Sequence, residues 1–185
     1  MNALDFLLRI DNVLSYNICD NLINLFEESN HTQRLDRGGY PNWTNLFLSS
    51  YYPNEDRQLQ YVYVEVVRQY QEWVGEYGHY FNTRNFNFEG SNIKKYVGGS
   101  DDVYKRHADL SSLKCSRRYL AMLFYLNDDF EGGETVFYPE CAIPPKKGSV
   151  LVFPPYWMFP HEGTPVLKGN KYIMSSYCLW NDESI

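Results

Sequence analysis

Apolar residues recur at helical spacing in the first half of the chain and in short bursts cut by turn residues in the second. Ile18, Leu22, Leu25 and Phe26 fall on one stripe behind Ser15, a side chain suited to accept a free backbone N–H, and predict an amphipathic helix up to Glu28. A second stripe, Leu59, Val62, Tyr63, Val66, Tyr70 and Trp73, predicts a helix over Asn54 to Tyr77, ended by Gly75 and Gly78. Phe6 to Leu14 reads as a first strand, and Asn30 to Ser50 as a long polar loop.

Beyond Tyr80 the period changes. Phe86 to Glu89, Asn92 to Val97, Val103 to Leu110, Arg118 to Leu126, Thr135 to Tyr138, Val150 to Phe153 and Lys171 to Trp180 read as strands, with Gly, Asn, Asp and Pro clusters between them. The expectation is a mostly β fold with flanking helices: a double-stranded β-helix, or jelly roll, with N-terminal supporting helices. No linker divides it, so residues 1–185 read as a single domain: 1–80 the strand, helices and loop, 86–180 the jelly-roll core.

Composition narrows the functions. A formal net charge of −6, with no basic block, disfavours a polyanion partner such as nucleic acid. Cys19, Cys115, Cys141 and Cys178 lack the spacing of a zinc or redox pair and read as reduced thiols. The N-terminus lacks a signal-peptide pattern and no run reaches the roughly 20 apolar residues of a membrane span, so the expected location is cytoplasmic.

Candidate chemistry centres on Tyr104-Lys-Arg-His107-Ala-Asp109. Residues two apart in a strand share a face, which would put an imidazole beside a carboxylate. Alone, the pair fits a simple hydrogen bond on a strand as well as it fits a metal. His161 offers a third ligand, and two His with one carboxylate is the donor set of non-haem Fe(II) oxygenases. Lys171, Ile173, Ser175, Tyr177 and Leu179 alternate onto one face, and Tyr119, Ala121, Leu123, Tyr125 and Asn127 onto another. Were both faces interior, a cation and a phenol would point into a pocket suited to a dicarboxylate.

Three segments carry a family resemblance: Tyr104 to Asp109; Leu123-Phe-Tyr125 through Gly132-Gly133-Glu134-Thr135; and Pro145 to Phe153, continuing through His161 to Tyr172. Over about Asn92 to Trp180 the chain resembles the 2-oxoglutarate and Fe(II)-dependent dioxygenases of the prolyl 4-hydroxylase family. The resemblance implies His107, Asp109 and His161 as catalytic iron ligands. It implies a 2-oxoglutarate site at Lys171, with Tyr125, Tyr96 and Leu123 around the cosubstrate, and assigns no chemistry to the Gly-Gly-Glu-Thr turn beyond positive φ at its glycines. It further implies O2 as cosubstrate, ascorbate as reductant, release of succinate and CO2, and hydroxylation by hydrogen abstraction at an iron centre.

Lys171, where oxygen-sensing relatives carry Arg, resembles the collagen-type enzymes, and Tyr177 stands where nucleic-acid demethylases carry a second Arg. The implied partner is a proline-containing peptide or protein, with Arg37, Tyr40 and Trp43 of the Asn30 to Ser50 segment as its contacts. That segment reads equally well as an ordinary surface loop. Two other readings stay open: a hydroxylase of a free amino acid or other small molecule, and a noncatalytic jelly-roll binding module.

Overall fold

The computed structural model describes residues 3–35, 42–81, 86–138 and 141–180. Helix α1 (Tyr16–Glu28) starts where Ser15 Oγ accepts the Ile18 N–H at 3.3 Å, and it buries Cys19, Leu22 and Phe26 along one stripe. After the short α2 (Leu48–Tyr51), α3 (Pro53–Trp73) opens on a proline whose missing N–H costs nothing in the first turn. It buries Leu59, Tyr63, Val66, Val67 and Tyr70. It ends with the last residue of its apolar stripe and short of the expected Tyr77, because Gly75 takes a positive φ of 58° and the chain tightens into a 3-10 turn over Gly75–Phe81.

In chain order the strands are β1 (Leu8–Ile10), β2 (Gln33–Leu35), β3 (Trp43–Phe47), β4 (Asn87–Phe88), β5 (Asn92–Val97), β6 (Tyr104–His107) and β7 (Arg118–Tyr125). They continue as β8 (Glu131–Gly132), β9 (Thr135–Phe137), β10 (Cys141–Ile143), β11 (Val150–Phe153), β12 (His161–Gly163), β13 (Val166–Lys168) and β14 (Asn170–Leu179). Antiparallel pairing builds a large sheet in the order β1-β11-β7-β14-β5-β3-β2, with β4 also on β14. A smaller sheet runs β10-β9-β12-β6, and β13 pairs with β8. This is the jelly roll expected from the spacing of strands and turns.

Both faces of the large sheet are covered, which is why its central strands read as unbroken apolar runs. Along β11, Val150 and Val152 pack toward the helices with Leu120, Met122 and Phe124 of β7, while Leu151 and Phe153 join Ala121, Tyr125 and Ile173 between the sheets. Burying each such side chain contributes roughly 1.5–3 kcal/mol, so the helical layer and the inter-sheet layer each fix the position of β14. Tyr119 departs from the predicted face: it lies in the helix-side cluster and takes a hydrogen bond from Cys178 Sγ at its hydroxyl. A register shift between Cys178 and Leu179 accompanies the change.

Two other expectations need correction. Within Phe6 to Leu14 only Leu8–Ile10 is strand, and Ala3–Phe6 forms a 3-10 turn. The Asn30 to Ser50 segment is not one loop, since β2, β3 and the start of α2 fall inside it. Asn45, fully buried and accepting a hydrogen bond from the Trp43 indole N–H, breaks the apolar alternation that would have marked β3 as a strand.

Candidate metal centre and substrate cleft

Strand β6 ends at His107, so Asp109 lies beyond it on a bend instead of one step along a strand. The predicted convergence of the two side chains still occurs, by a different route. Arg118 Nη1 donates to the Asp109 carbonyl at 3.3 Å, and the Leu110 N–H donates to the Pro155 carbonyl at 2.9 Å. Arg118 is itself held by Glu89 and lies over the Tyr177 ring at 3.7 Å. His161, the first residue of β12, is the cross-strand neighbour of His107. One ligand atom from each of His107, Asp109 and His161 lies within 4.8 Å of the others.

The histidines are oriented from behind. His107 Nδ1 is 2.8 Å from the Lys105 carbonyl, and His161 Nδ1 is 3.2 Å from the Phe159 carbonyl. A carbonyl can only accept, so in the neutral rings the proton sits on Nδ1 and the Nε2 lone pair faces Asp109. His107 Nε2 is 3.3 Å from Asp109 Oδ1, a separation that would suit an ion pair with a protonated ring. With the proton on Nδ1 that contact is not a hydrogen bond, and Nε2 is buried without a hydrogen-bond partner among the described residues. Burial pushes the His161 pKa down to about 4 against the pull of Asp109, which keeps the ring neutral near pH 7. Burial works against the Asp109 carboxylate too, but His107, His161 and Lys94 outweigh it and hold its pKa at about 2. Two imidazoles with Nε2 turned toward one carboxylate, one of those nitrogens buried and orphaned, fit a divalent transition metal.

A narrow cavity runs inward from this trio to Lys171, lined also by Tyr96, Leu123, Thr135 and Gly163. Lys171 is 4% exposed, and its Nζ donates to the Gly133 carbonyl at 2.6 Å. The nitrogen is 5.7 and 5.9 Å from the ring centres of Tyr96 and Tyr125. Burial brings its pKa down to about 8, with Glu134 pulling it back up and Lys94 adding to the depression. Gly132 and Gly133 both have positive φ. A Cβ on Gly133 would come within 2.8 Å of the Phe130 ring and 3.2 Å of Lys171 Cδ, so this turn shapes the lysine's seat as well as the backbone.

Tyr125 is fully buried but does not line the cavity; its hydroxyl shares a 2.8 Å hydrogen bond with Thr135 Oγ1, and Thr135 does line it. Sequence reasoning left Thr135 without a role, although it ends the Gly-Gly-Glu-Thr turn. Lys94 was also missed, on both the inner cavity and an open cleft of about 980 Å³ beyond it. Its signal was the alternation that carries Tyr96 inward, two residues on in β5.

Among the predicted substrate contacts, Arg37 and Tyr40 lie outside the described residues. Trp43 is a buried residue of β3 packed on Tyr96 and Tyr104, and forms part of the cleft wall instead of standing on a loop.

The sequence model described as the 2OG-Fe(II) oxygenase superfamily matches residues 91–179, a span that contains His107, Asp109, His161 and Lys171. None of the curated proteins matches the chain by sequence. Among solved structures, the viral collagen prolyl hydroxylase of Paramecium Bursaria Chlorella virus-1 in its 2OG complex is 24% identical with a TM-score of 0.69, over 96% of this chain and 97% of that one. A Trichoplax adhaerens prolyl hydroxylase, in complex with a hypoxia inducible factor peptide fragment, has a TM-score of 0.72 at 16% identity, over 95% of this chain and 84% of that one. A Pseudomonas putida prolyl-4-hydroxylase has a TM-score of 0.71 at 16% identity, over 95% and 92% respectively. These likenesses show the fold. The match over residues 91–179 identifies a 2OG-Fe(II) oxygenase domain within the chain.

Proposed function

We propose that the protein hydroxylates prolyl residues of a peptide or protein, using 2-oxoglutarate and O2 and releasing succinate and CO2. The observation that carries this reading is a buried ammonium at the closed end of a cavity whose other end is the His107-Asp109-His161 trio, with an open cleft beyond. That arrangement separates a site for a small dicarboxylate from a site for a longer chain. The similar folds belong to prolyl hydroxylases, one of them with a peptide bound.

The superfamily implies Fe(II) and 2-oxoglutarate. In this reading His107, Asp109 and His161 hold the iron, which when bound supplies the oxidising chemistry. Lys171 pairs with the distal carboxylate of 2-oxoglutarate. Thr135, polarised by Tyr125, offers that carboxylate a hydroxyl, and Tyr96 and Leu123 flank the carbon chain. Phe153, Val166 and Ile173 keep water from the cavity, which strengthens each polar contact within it. Trp43 and Tyr104 give the cleft an aromatic wall for a peptide to lie against. The cysteines are free, in keeping with a reducing cytoplasm. Among the described residues no helix is long and apolar enough to cross a membrane.

The test is mass spectrometry of proline-containing peptides incubated with the protein, Fe(II), 2-oxoglutarate and ascorbate as reductant. The expected product gains one oxygen on proline, in step with succinate. Succinate formation with no modified peptide would move the substrate to a small molecule.

Cosubstrate binding should also depend on alkaline pH. Lys171 must carry its proton to pair with a carboxylate, and its pKa before binding is about 8. Below that value the group is already charged and affinity is flat in pH. Above it, binding must restore the proton, so the Kd should rise by up to about tenfold per pH unit until the pKa of the complex is reached. Calorimetric titration of 2-oxoglutarate across pH 7 to about 9 measures this, and the Lys171→Met variant should lose the slope.

A further inference from the structure

Lys94 is a second buried lysine, within electrostatic reach of Asp109 and Lys171 but bonded to neither. It is 8% exposed. Its Nζ lies 5.5 Å from the Trp43 ring centre and 5.6 Å from that of Tyr104, and among the described residues it has neither a hydrogen-bond acceptor nor a carboxylate at ion-pair distance. Its neighbours differ in this respect: Lys95 pairs with Glu27 at 2.8 Å, and Lys171 donates to Gly133. An ammonium removed from water costs several kcal/mol, and the two aromatic faces offset only about 0.5–2 kcal/mol each. A site of this kind is completed by an anion.

Its place in the fold indicates which anion. In the β5–β14 ladder Lys171 stands opposite Tyr96 and Lys94 opposite Ile173, so Lys94 lies one inward position, roughly 7 Å, farther along the sheet. Unlike Lys171, it also lines the open cleft. The charged residues lining that cleft are Lys94, Lys114, Arg117 and Arg118 against Glu89 and Asp109. Arg118 engages Glu89, and Asp109 faces the two histidines. Four cations against two carboxylates make the cleft lining net positive in a protein of net charge −6.

We infer that Lys94 binds a carboxylate of the substrate, so that the cleft selects peptides with an Asp or Glu beside the residue presented to the metal. This rests on the peptide reading above and specifies its substrate class. The one competing source of the same chemistry is a carboxylate of 2-oxoglutarate, and the test separates the two.

Blocked pentapeptides Gly-Ala-Pro-Asp-Gly, Gly-Asp-Pro-Ala-Gly and their Asn and Lys counterparts would be titrated calorimetrically into protein loaded with Mn(II) and 2-oxoglutarate, and assayed in parallel for hydroxylation with Fe(II). At least one Asp peptide should bind roughly 10- to 100-fold more tightly than its Asn counterpart, the range of one charge-assisted hydrogen bond. Lys94→Met, close in shape and uncharged, should erase that difference while changing the Kd of 2-oxoglutarate far less, and Lys94→Glu should turn the preference toward the Lys peptide. Circular dichroism checks that each variant is folded, and Lys94→Met alone decides the matter where Lys94→Glu is not.

Equal binding of Asp and Asn peptides, or no binding by any peptide, overturns the inference. So does a loss of 2-oxoglutarate affinity in Lys94→Met as large as the loss for the Asp peptide, because the carboxylate would then be the cosubstrate's. Hydroxylation indifferent to the neighbouring residue would sink this inference and leave prolyl hydroxylation standing. A Lys94-dependent acidic preference without hydroxylation would do the reverse.

Discussion

His107→Ala and Asp109→Ala should each reduce 2-oxoglutarate turnover to background, and each should abolish stabilisation of the fold by a divalent metal. The expectation follows from how little else could hold the ion. The metal-compatible cluster among the described residues is His107, Asp109 and His161, and losing one member leaves two donors. Removing a residue that merely orients a metal ligand costs 10- to about 100-fold, and removing the ligand itself should cost more.

Thermal denaturation gives a readout independent of catalysis. A metal present at about 100 times its Kd stabilises the native state by about 2.7 kcal/mol, which for a chain of this length raises the midpoint by roughly 5–10 °C. Mn(II) should produce that rise in the parent protein and not in either variant. A full metal-dependent shift in His107→Ala would remove that residue from the site. Lys105 meets His107 through its backbone carbonyl, so Lys105→Ala should leave the shift largely in place.

Lys171→Met has two opposed effects whose combination is diagnostic. It should weaken 2-oxoglutarate by at least about 1.5–3 kcal/mol, or tenfold to a hundredfold or more, because the distal carboxylate would lose its charge-assisted partner in a site with little water. The same change should stabilise the protein without ligand. Depression of the Lys171 pKa from 10.5 to about 8 means that the ionised form is disfavoured in the fold by about 3 kcal/mol at neutral pH. That penalty is complete below pH 8 and fades as pH rises toward 10.5, the region in which the folded state has already released its proton. Methionine avoids it, so the ligand-free midpoint should rise by the equivalent of about 1–3 kcal/mol. A variant that loses both stability and cosubstrate binding would make Lys171 a structural residue.

Much of this could be read from the order of residues. Helix α1, with its Ser15 cap, and strands β5 and β11 have their predicted bounds, because in each the local pattern and the tertiary environment agree. Strands β2, β3, β8, β10, β12 and β13 escaped, being short, polar or interrupted by glycine, and held by neighbours distant in sequence. Asn45 illustrates the cause: a buried amide whose oxygen accepts from the Trp43 indole looks, in one dimension, like a break in a strand.

The candidate site divides the same way. Sequence by itself singled out His107, Asp109, His161 and Lys171, since few residue types can hold a metal or a dicarboxylate and their spacing resembles a known family. Only the tertiary structure determined how they meet. Asp109 reaches the histidines from a bend anchored by Arg118, and the hydroxyl on the cavity wall belongs to Thr135 with Tyr125 behind it. Among the described residues Lys94 has no ion-pair partner between cavity and cleft, where a charge acquires meaning only from the groups folded around it. Residue identity and periodicity are local properties, whereas burial, facing and the absence of a partner arise from contacts between strands far apart in the chain.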